Sequence, residues 1–200
     1  MGRETPHRAG SIESGALPGE NLREPFPRLS LPIRPPFPPM EAELVGEIPG
    51  DGDWLYEPKW DGFRCLAFKD GATVALQSKS GQPLGRYFPE LVRAISAIRA
   101  PKLVLDGEIV IAREGRLWFD DLLQRIHPAE SRVARLSKET PCDYLVFDLL
   151  VDPRGRSLVE RPLSERRKLL EGFFDRPRLG GNLHLSPTDA EPRGPVRRVK

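Results

Sequence analysis

The chain has 200 residues, 38% apolar and 30% charged, with a formal net charge of +2. That is enough for one domain with a real core, and no apolar run approaches the ~20 residues that a membrane-spanning helix needs. The N-terminus lacks the apolar core of a secretory signal, and the two cysteines, Cys65 and Cys142, stand in no metal-type spacing. The expectation is therefore a soluble, cytoplasmic protein with no membrane partner and no disulfide framework.

Charge is unevenly placed. Residues 1–58 hold 5 basic and 10 acidic side chains, whereas residues 59–200 hold 26 and 19. A basic excess favours a polyanionic partner such as a nucleotide or nucleic acid, although a solvated basic surface is the commoner cause.

In chain order, residues 1–30 mix Gly, Pro, Glu and Arg without apolar period and read as a disordered extension. Residues 31–39 carry five prolines and should be extended. Order is expected to begin near Trp54. Residues 63–68 and 73–77 are strand-like runs around the turn signal Lys69-Asp70-Gly71-Ala72. Pro89 opens an amphipathic helix with Leu91, Val92, Ile95 and Ile98 on one stripe. A strong strand is predicted at 102–112, with a partner strand at 116–119. Asp120 should N-cap a short helix with Leu122, Leu123 and Ile126 inward. A second short helix covers 129–138, and a strand covers 143–150. Ser164 caps a basic helix over 165–174, and His184-Leu185 lies in a last strand. Hairpins without regular strand–helix alternation point to an α+β fold with antiparallel sheets and packed helices.

Three places carry candidate chemistry. Lys59 precedes an Asp61-Gly62 turn, with Pro58 and Gly62 fixing the backbone around it. Trp60 and Phe63 would bring apolar bulk to the ammonium, Arg64 is a nearby cation, and Asp61 could orient the lysine. A lysine so placed is a usable nucleophile. Four Asp-Gly pairs occur, at 51, 61, 70 and 106, so a plain turn competes with this reading at each. Asp106-Gly107-Glu108 interrupts an apolar strand, as does Asp148 in the run 144–150. Buried carboxylates need a partner: a divalent cation, a ribose hydroxyl or a core salt bridge. Phe147 offers a flat face to a base, although plain core is its commoner role. Ser78-Lys79-Ser80-Gly81 alone is a polar turn.

Together these pieces resemble ATP-dependent DNA ligases of the bacterial repair type. Residues 57–64 look like the lysine motif, Asp106-Gly107-Glu108 the acidic strand, and Tyr144–Leu150 the adenine-stacking strand. Arg86–Glu90 and Gln124–Pro128 share the family's flavour. The resemblance implies a partial adenylation domain over 31–187, a nucleotidyltransferase of ATP-grasp-like build, that uses ATP and Mg²⁺ and acts on nicked double-stranded DNA in repair and recombination. It implies Lys59 as the nucleophile that forms lysyl-AMP, within a nucleotide-binding motif that includes Asp61 and Gly62. Glu57 would contact adenine, Arg64 and Glu108 the ribose, and Phe147 would stack on the base, with Glu108 also near the metal. Lys79 stands where the family has Arg in a Ser-Arg-Asn-Gly motif, and Lys loses the bidentate fork to phosphate.

The resemblance also implies a Glu-Gly-Val-type strand, a Lys-x-Lys strand and an OB-fold domain. None is legible in the 200 residues, and 187–200 lose apolar periodicity, reading as a truncated or frame-shifted end, so the chain alone is expected to be impaired: to self-adenylate poorly or not at all and not to seal nicks. Competing readings are an RNA ligase or capping-type nucleotidyltransferase, a non-catalytic nucleotide-binding or degenerate fragment, and an α+β domain whose Asp-Gly pairs are all turns.

Overall fold

The computed structural model describes residues 25–41, 45–49, 54–175 and 181–189. Among the described residues seven strands and four α-helices follow in the order β1 (Phe63–Asp70), β2 (Thr73–Ser78), α1 (Pro89–Ser96), β3 (Lys102–Val110), β4 (Ala112–Arg113), β5 (Arg116–Leu117), α2 (Phe119–Leu123), α3 (Glu130–Glu139), β6 (Asp143–Val151), α4 (Leu163–Phe174) and β7 (Leu183–Leu185). The main sheet runs β2-β1-β3-β6-β7, and β4 and β5 form a separate ribbon.

Pairing is antiparallel except at one edge, where β6 and β7 run parallel. A parallel pair needs a crossover, and α4 supplies it. The sheet is thus antiparallel as expected, with one parallel pair added at its β7 edge. The β1–β2 hairpin closes on Gly71 at φ 60°, and Asp70 pairs with Thr73, so here the Asp-Gly signal is a turn. β3 runs unbroken through Asp106-Gly107-Glu108, as a buried strand should.

The two faces of the sheet have different covers. One face carries Cys65, Ala67, Leu103, Leu105, Ile109, Tyr144 and Val146, packed with Leu91 and Ile95 of α1, Leu122 of α2 and Leu170 and Phe173 of α4. The other face carries Leu66, Phe68, Val104 and Val151, covered by Leu29 and Leu31 with Phe26, Ile33 and Phe37 against them. Alternation along β1 and β3 sends Arg64, Asp106 and Glu108 to this second face, beyond the edge of its apolar cover.

The proline-rich segment is thus a strap over the sheet. Pro residues cannot complete a ladder, and the buried Gln77 substitutes for one, its amide donating to the Phe37 carbonyl at 2.7 Å and accepting from the Phe37 N–H at 2.8 Å. Burial of Leu29 corrects the reading of residues 25–30 as disordered; residues 1–24 of that extension lie outside the described residues. Within the C-terminal stretch expected to be irregular, Asp189 is bridged to Tyr56, and residues 190–200 also lie outside the described residues.

Two helix starts differ from expectation. Trp118 and Pro162 occupy the N-cap positions of α2 and α4, so Asp120 and Ser164 lie inside the first turns rather than capping them. There Asp120 and Asp121 still oppose the positive end of the α2 dipole. Leu123 points outward, 44% exposed.

Candidate active site

The second sheet face gathers groups that are far apart in sequence. Arg64 on β1 lies opposite Glu108 on β3, and Asp106 lies opposite Asp148 on β6. A register shift between Asp106 and Gly107 leaves Phe147 without a partner on β3. A bulge of this kind re-aims a side chain. The Phe147 ring lies under the Arg64 guanidinium, 4.5 Å from its centre.

Arg64 also forks onto Asp106, with Nε and Nη2 donating at 2.6 and 2.7 Å, and Nη2 reaches the Met40 carbonyl at 3.3 Å. The buried Asp106 therefore has its countercharge within the core. Asp148 is met in the same way by Arg166 of α4, at 2.8–3.2 Å. Of the three acids singled out from the sequence, Glu108 alone is left partly exposed on the open face. Burial pushes its carboxyl up to about 7; Arg64, Lys59 and the Gly62 N–H pull it down, and Asp106 adds to the rise. Glu108 is thus electrostatically coupled to Lys59 and Arg64 together.

Glycine is sterically required at two of the Asp-Gly pairs. A Cβ on Gly62 would come 2.2 Å from the Ile109 carbonyl oxygen and 2.9 Å from Cγ of Glu108. One on Gly107 would come 2.5 Å from the Leu145 carbonyl oxygen and 2.7 Å from Cε2 of Tyr144. The Tyr144 hydroxyl sits beneath, within 2.8 Å of the Cys65 carbonyl and 3.2 Å of that of Leu105. Close approach, rather than turning, explains both glycines.

Lys59 and Asp61 are both exposed on the irregular segment ahead of β1. Phe63 does not wall the lysine as expected. It turns to the opposite face and meets Phe88 and Phe119 edge-on at 6.3 and 5.7 Å, because its neighbour Arg64 takes the site face. Trp60 does stay close, half-buried, its indole N–H donating to Ser186 Oγ at 2.9 Å. Lys79 lies one residue past the Ser78–Cys65 pairing, exposed at the rim and 3.5 Å from Glu41.

Glu57 is anchored by a residue that the sequence reading passed over. Arg167 of α4 is 5% exposed; it reaches Glu57 at 3.3 Å, Glu171 at 2.7 Å and the Ser186 carbonyl at 2.7 Å. Burial raises the Glu57 carboxyl to about 6 against the pull of Arg167. The available signal was the Arg166-Arg167 doublet between Glu165 and Lys168, which reads like an ordinary solvated basic helix.

The two motif-like stretches outside the site also join. Arg125 is fully buried and forks onto Glu90 at 2.7 and 2.9 Å, with further bonds to the Tyr87 and Thr140 carbonyls. Arg86 donates to the Pro128 carbonyl at 2.8 Å. Among the described residues no cluster of three or more His, Cys, Asp or Glu could hold a metal, and no helix is long and apolar enough to cross a membrane.

Comparisons with known proteins point to one family. Residues 39–186 match the family model of the ATP dependent DNA ligase domain. DNA ligase C1 of Mycolicibacterium smegmatis is 44% identical over 82% of this chain and 47% of its own length. DNA ligase C of Mycobacterium tuberculosis is 50% identical over 71% of this chain and 39% of its own. The crystal structure of the ligase domain from M. tuberculosis LigD superposes with a TM-score of 0.51 at 31% identity, covering 68% of this chain and 39% of that one. The chain therefore spans less than half the length of the curated relatives it matches here. The chain belongs to the ATP-dependent DNA ligase domain family.

Proposed function

We propose that this chain carries the adenosine-binding half of a DNA ligase's nucleotide-transfer site, with Lys59 as the acceptor of AMP from ATP. The observation that carries the reading is the shared face of Arg64, Glu108 and Phe147, with Glu108 sensing the Lys59 charge. Phe147 supplies a stacking surface for adenine, Glu57 a polar contact at its edge, and Arg64 and Glu108 the ribose contacts. Asp61 and Gly62 shape the loop behind Lys59, and Lys79 faces phosphate at the rim.

In the first step the neutral Lys59 amine donates its electron pair to the α-phosphorus. A P–N bond forms, the P–O bond to pyrophosphate breaks, and the amine loses a proton. In the whole enzyme AMP then passes to the 5′-phosphate at a nick in double-stranded DNA, and the 3′-hydroxyl displaces it to seal the strand. Such transfers depend chiefly on positioning and charge neutralisation.

The residues present fit a magnesium ion in the way this ion prefers. Mg²⁺ is typically held by one or two carboxylates plus substrate phosphates and water. Glu108 is the partly buried carboxylate available for this, since Asp106 and Asp148 are committed to arginines. The ion would neutralise phosphate charge there.

Incubation with labelled ATP and Mg²⁺, followed by gel detection, tests the reading. This chain alone should give at most a weak, acid-labile adduct, since no Lys-x-Lys occurs in its 200 residues, and Lys59→Ala should give none. GTP should not substitute for ATP, nor RNA nicks for DNA nicks in a complete enzyme. A covalent nucleotide that persists in Lys59→Ala would refute the assignment.

A further inference from the structure

The segment that carries Lys59 has no ladder of its own. Residues 57–62 lie outside every strand and helix, so their placement depends on side-chain and bridge contacts. The Gly62 N–H faces Glu108 of β3 at the end of the segment, and among the described residues three further contacts lead to the stretch that follows β7 or to the helix beside it. Tyr56 and Asp189 exchange backbone hydrogen bonds at 2.9 Å each. The Trp60 indole binds Ser186 Oγ. Arg167 grips Glu57 with Nη1 and the Ser186 carbonyl with Nη2. Ser186 is itself fully buried and its N–H is held by the Val146 carbonyl at 2.8 Å, one residue before Phe147.

From this geometry we infer that Arg167 is a positioning residue for nucleotide transfer: it clamps the Lys59 segment through Glu57 and Ser186 and so aligns the lysine with the face that bears Phe147. The inference rests on the adenylation reading above. Arg167 does not touch the reacting atoms; it acts through the carboxylate two residues before the nucleophile. A guanidinium suits this role because its fixed fork serves three acceptors at once, which a lysine ammonium on a flexible stem cannot reproduce in the same plane. The groups that act electrostatically on Glu57 are Arg167 from α4, Asp148 from β6, Arg64 from β1 and Asp106 from β3. Arg64 and Asp106 are paired with each other, which leaves Arg167 as the dominant cation.

The test uses the intact chain with Arg167→Gln, Arg167→Lys, Glu57→Gln and the Arg167→Gln/Glu57→Gln double variant. Two readouts are taken: the Glu57 carboxyl titration by NMR, and the affinity for ATP across pH 5–8. Urea unfolding confirms that each variant is folded. Arg167→Gln should raise the Glu57 titration above its starting value near 6 and weaken ATP binding about tenfold. Arg167→Lys should recover the titration in part and the affinity less. In the Glu57→Gln background, Arg167→Gln should cost little more. An unchanged Glu57 titration, or an equal loss of affinity in both backgrounds, would overturn the clamp. A chain that binds no ATP at any pH, yet shows the shifted titration, would overturn the adenylation reading while leaving the Arg167–Glu57 coupling intact.

Discussion

At Glu108 the carboxyl stands at about 7 against an ordinary 4.5, burial being the main cause. Between those values the folded chain holds a proton that the unfolded chain has released. This stabilising contribution is complete below about pH 4.5 and is lost as pH rises through 7. Glu57, raised to about 6, acts in the same direction over a narrower window. The nucleotide-free chain should therefore lose stability from pH 5 to pH 8, and Glu108→Gln should flatten that slope. Urea unfolding at stepped pH checks it, and identical slopes in the two proteins would count against a buried, proton-retaining Glu108. Gly107→Ala tests a steric claim instead: forcing a methyl against the Leu145 carbonyl and the Tyr144 ring should cost about 1–3 kcal/mol. Lys59→Ala removes an exposed side chain and should change stability by under about 0.5 kcal/mol while abolishing the AMP adduct. Much at this scale was legible in advance. Lys59, Arg64, Glu108 and Phe147 were marked by an acid or a cation in an otherwise apolar strand or a rigid turn. What stayed hidden was partner choice: nothing in the sequence says that Arg64 takes Asp106, that Arg166 takes Asp148, or that Phe63 turns away from Lys59.

Whole elements are held in register by buried ion pairs. Arg125 sits just beyond α2, and its fork onto Glu90 of α1 ties that region to the start of α1; both groups are buried. Removing one partner of such a pair leaves a charge without a counterpart, which typically costs about 3–5 kcal/mol. Glu90→Gln should destabilise by an amount of that order, whereas Glu139→Gln, which breaks the exposed Arg135–Glu139 pair at 3.6 Å, should cost under about 1 kcal/mol. Denaturant midpoints of the two variants give the comparison directly. Most elements followed from apolar period and turn chemistry, from Pro89 opening α1 to Gly71 closing the first hairpin. The α2 and α4 caps did not, because Trp118 and Pro162 carry no side-chain capping signal. The parallel pairing of the three-residue β7 was equally invisible, since it depends on where α4 returns the chain.

Across the molecule, one sheet divides the work between its faces. Among the described residues, helices seal one face into the main core, while the proline strap covers the apolar part of the other face and its Met40 carbonyl meets Arg64 of the polar cluster. A separate hollow of about 360 Å³ lies between residues 25–27, β2 and α1, lined by Phe26, Val74, Val92, Arg86 and Arg93. The most direct measurement is an NMR map of ATP binding to the intact chain. The account predicts that the largest shifts fall on Glu57, Lys59, Arg64, Glu108 and Phe147, with Phe147→Ala weakening them together. Shifts confined to the hollow around Phe26 and Val92, or a Phe147→Ala chain that binds ATP unchanged, would contradict a single nucleotide site on the open sheet face.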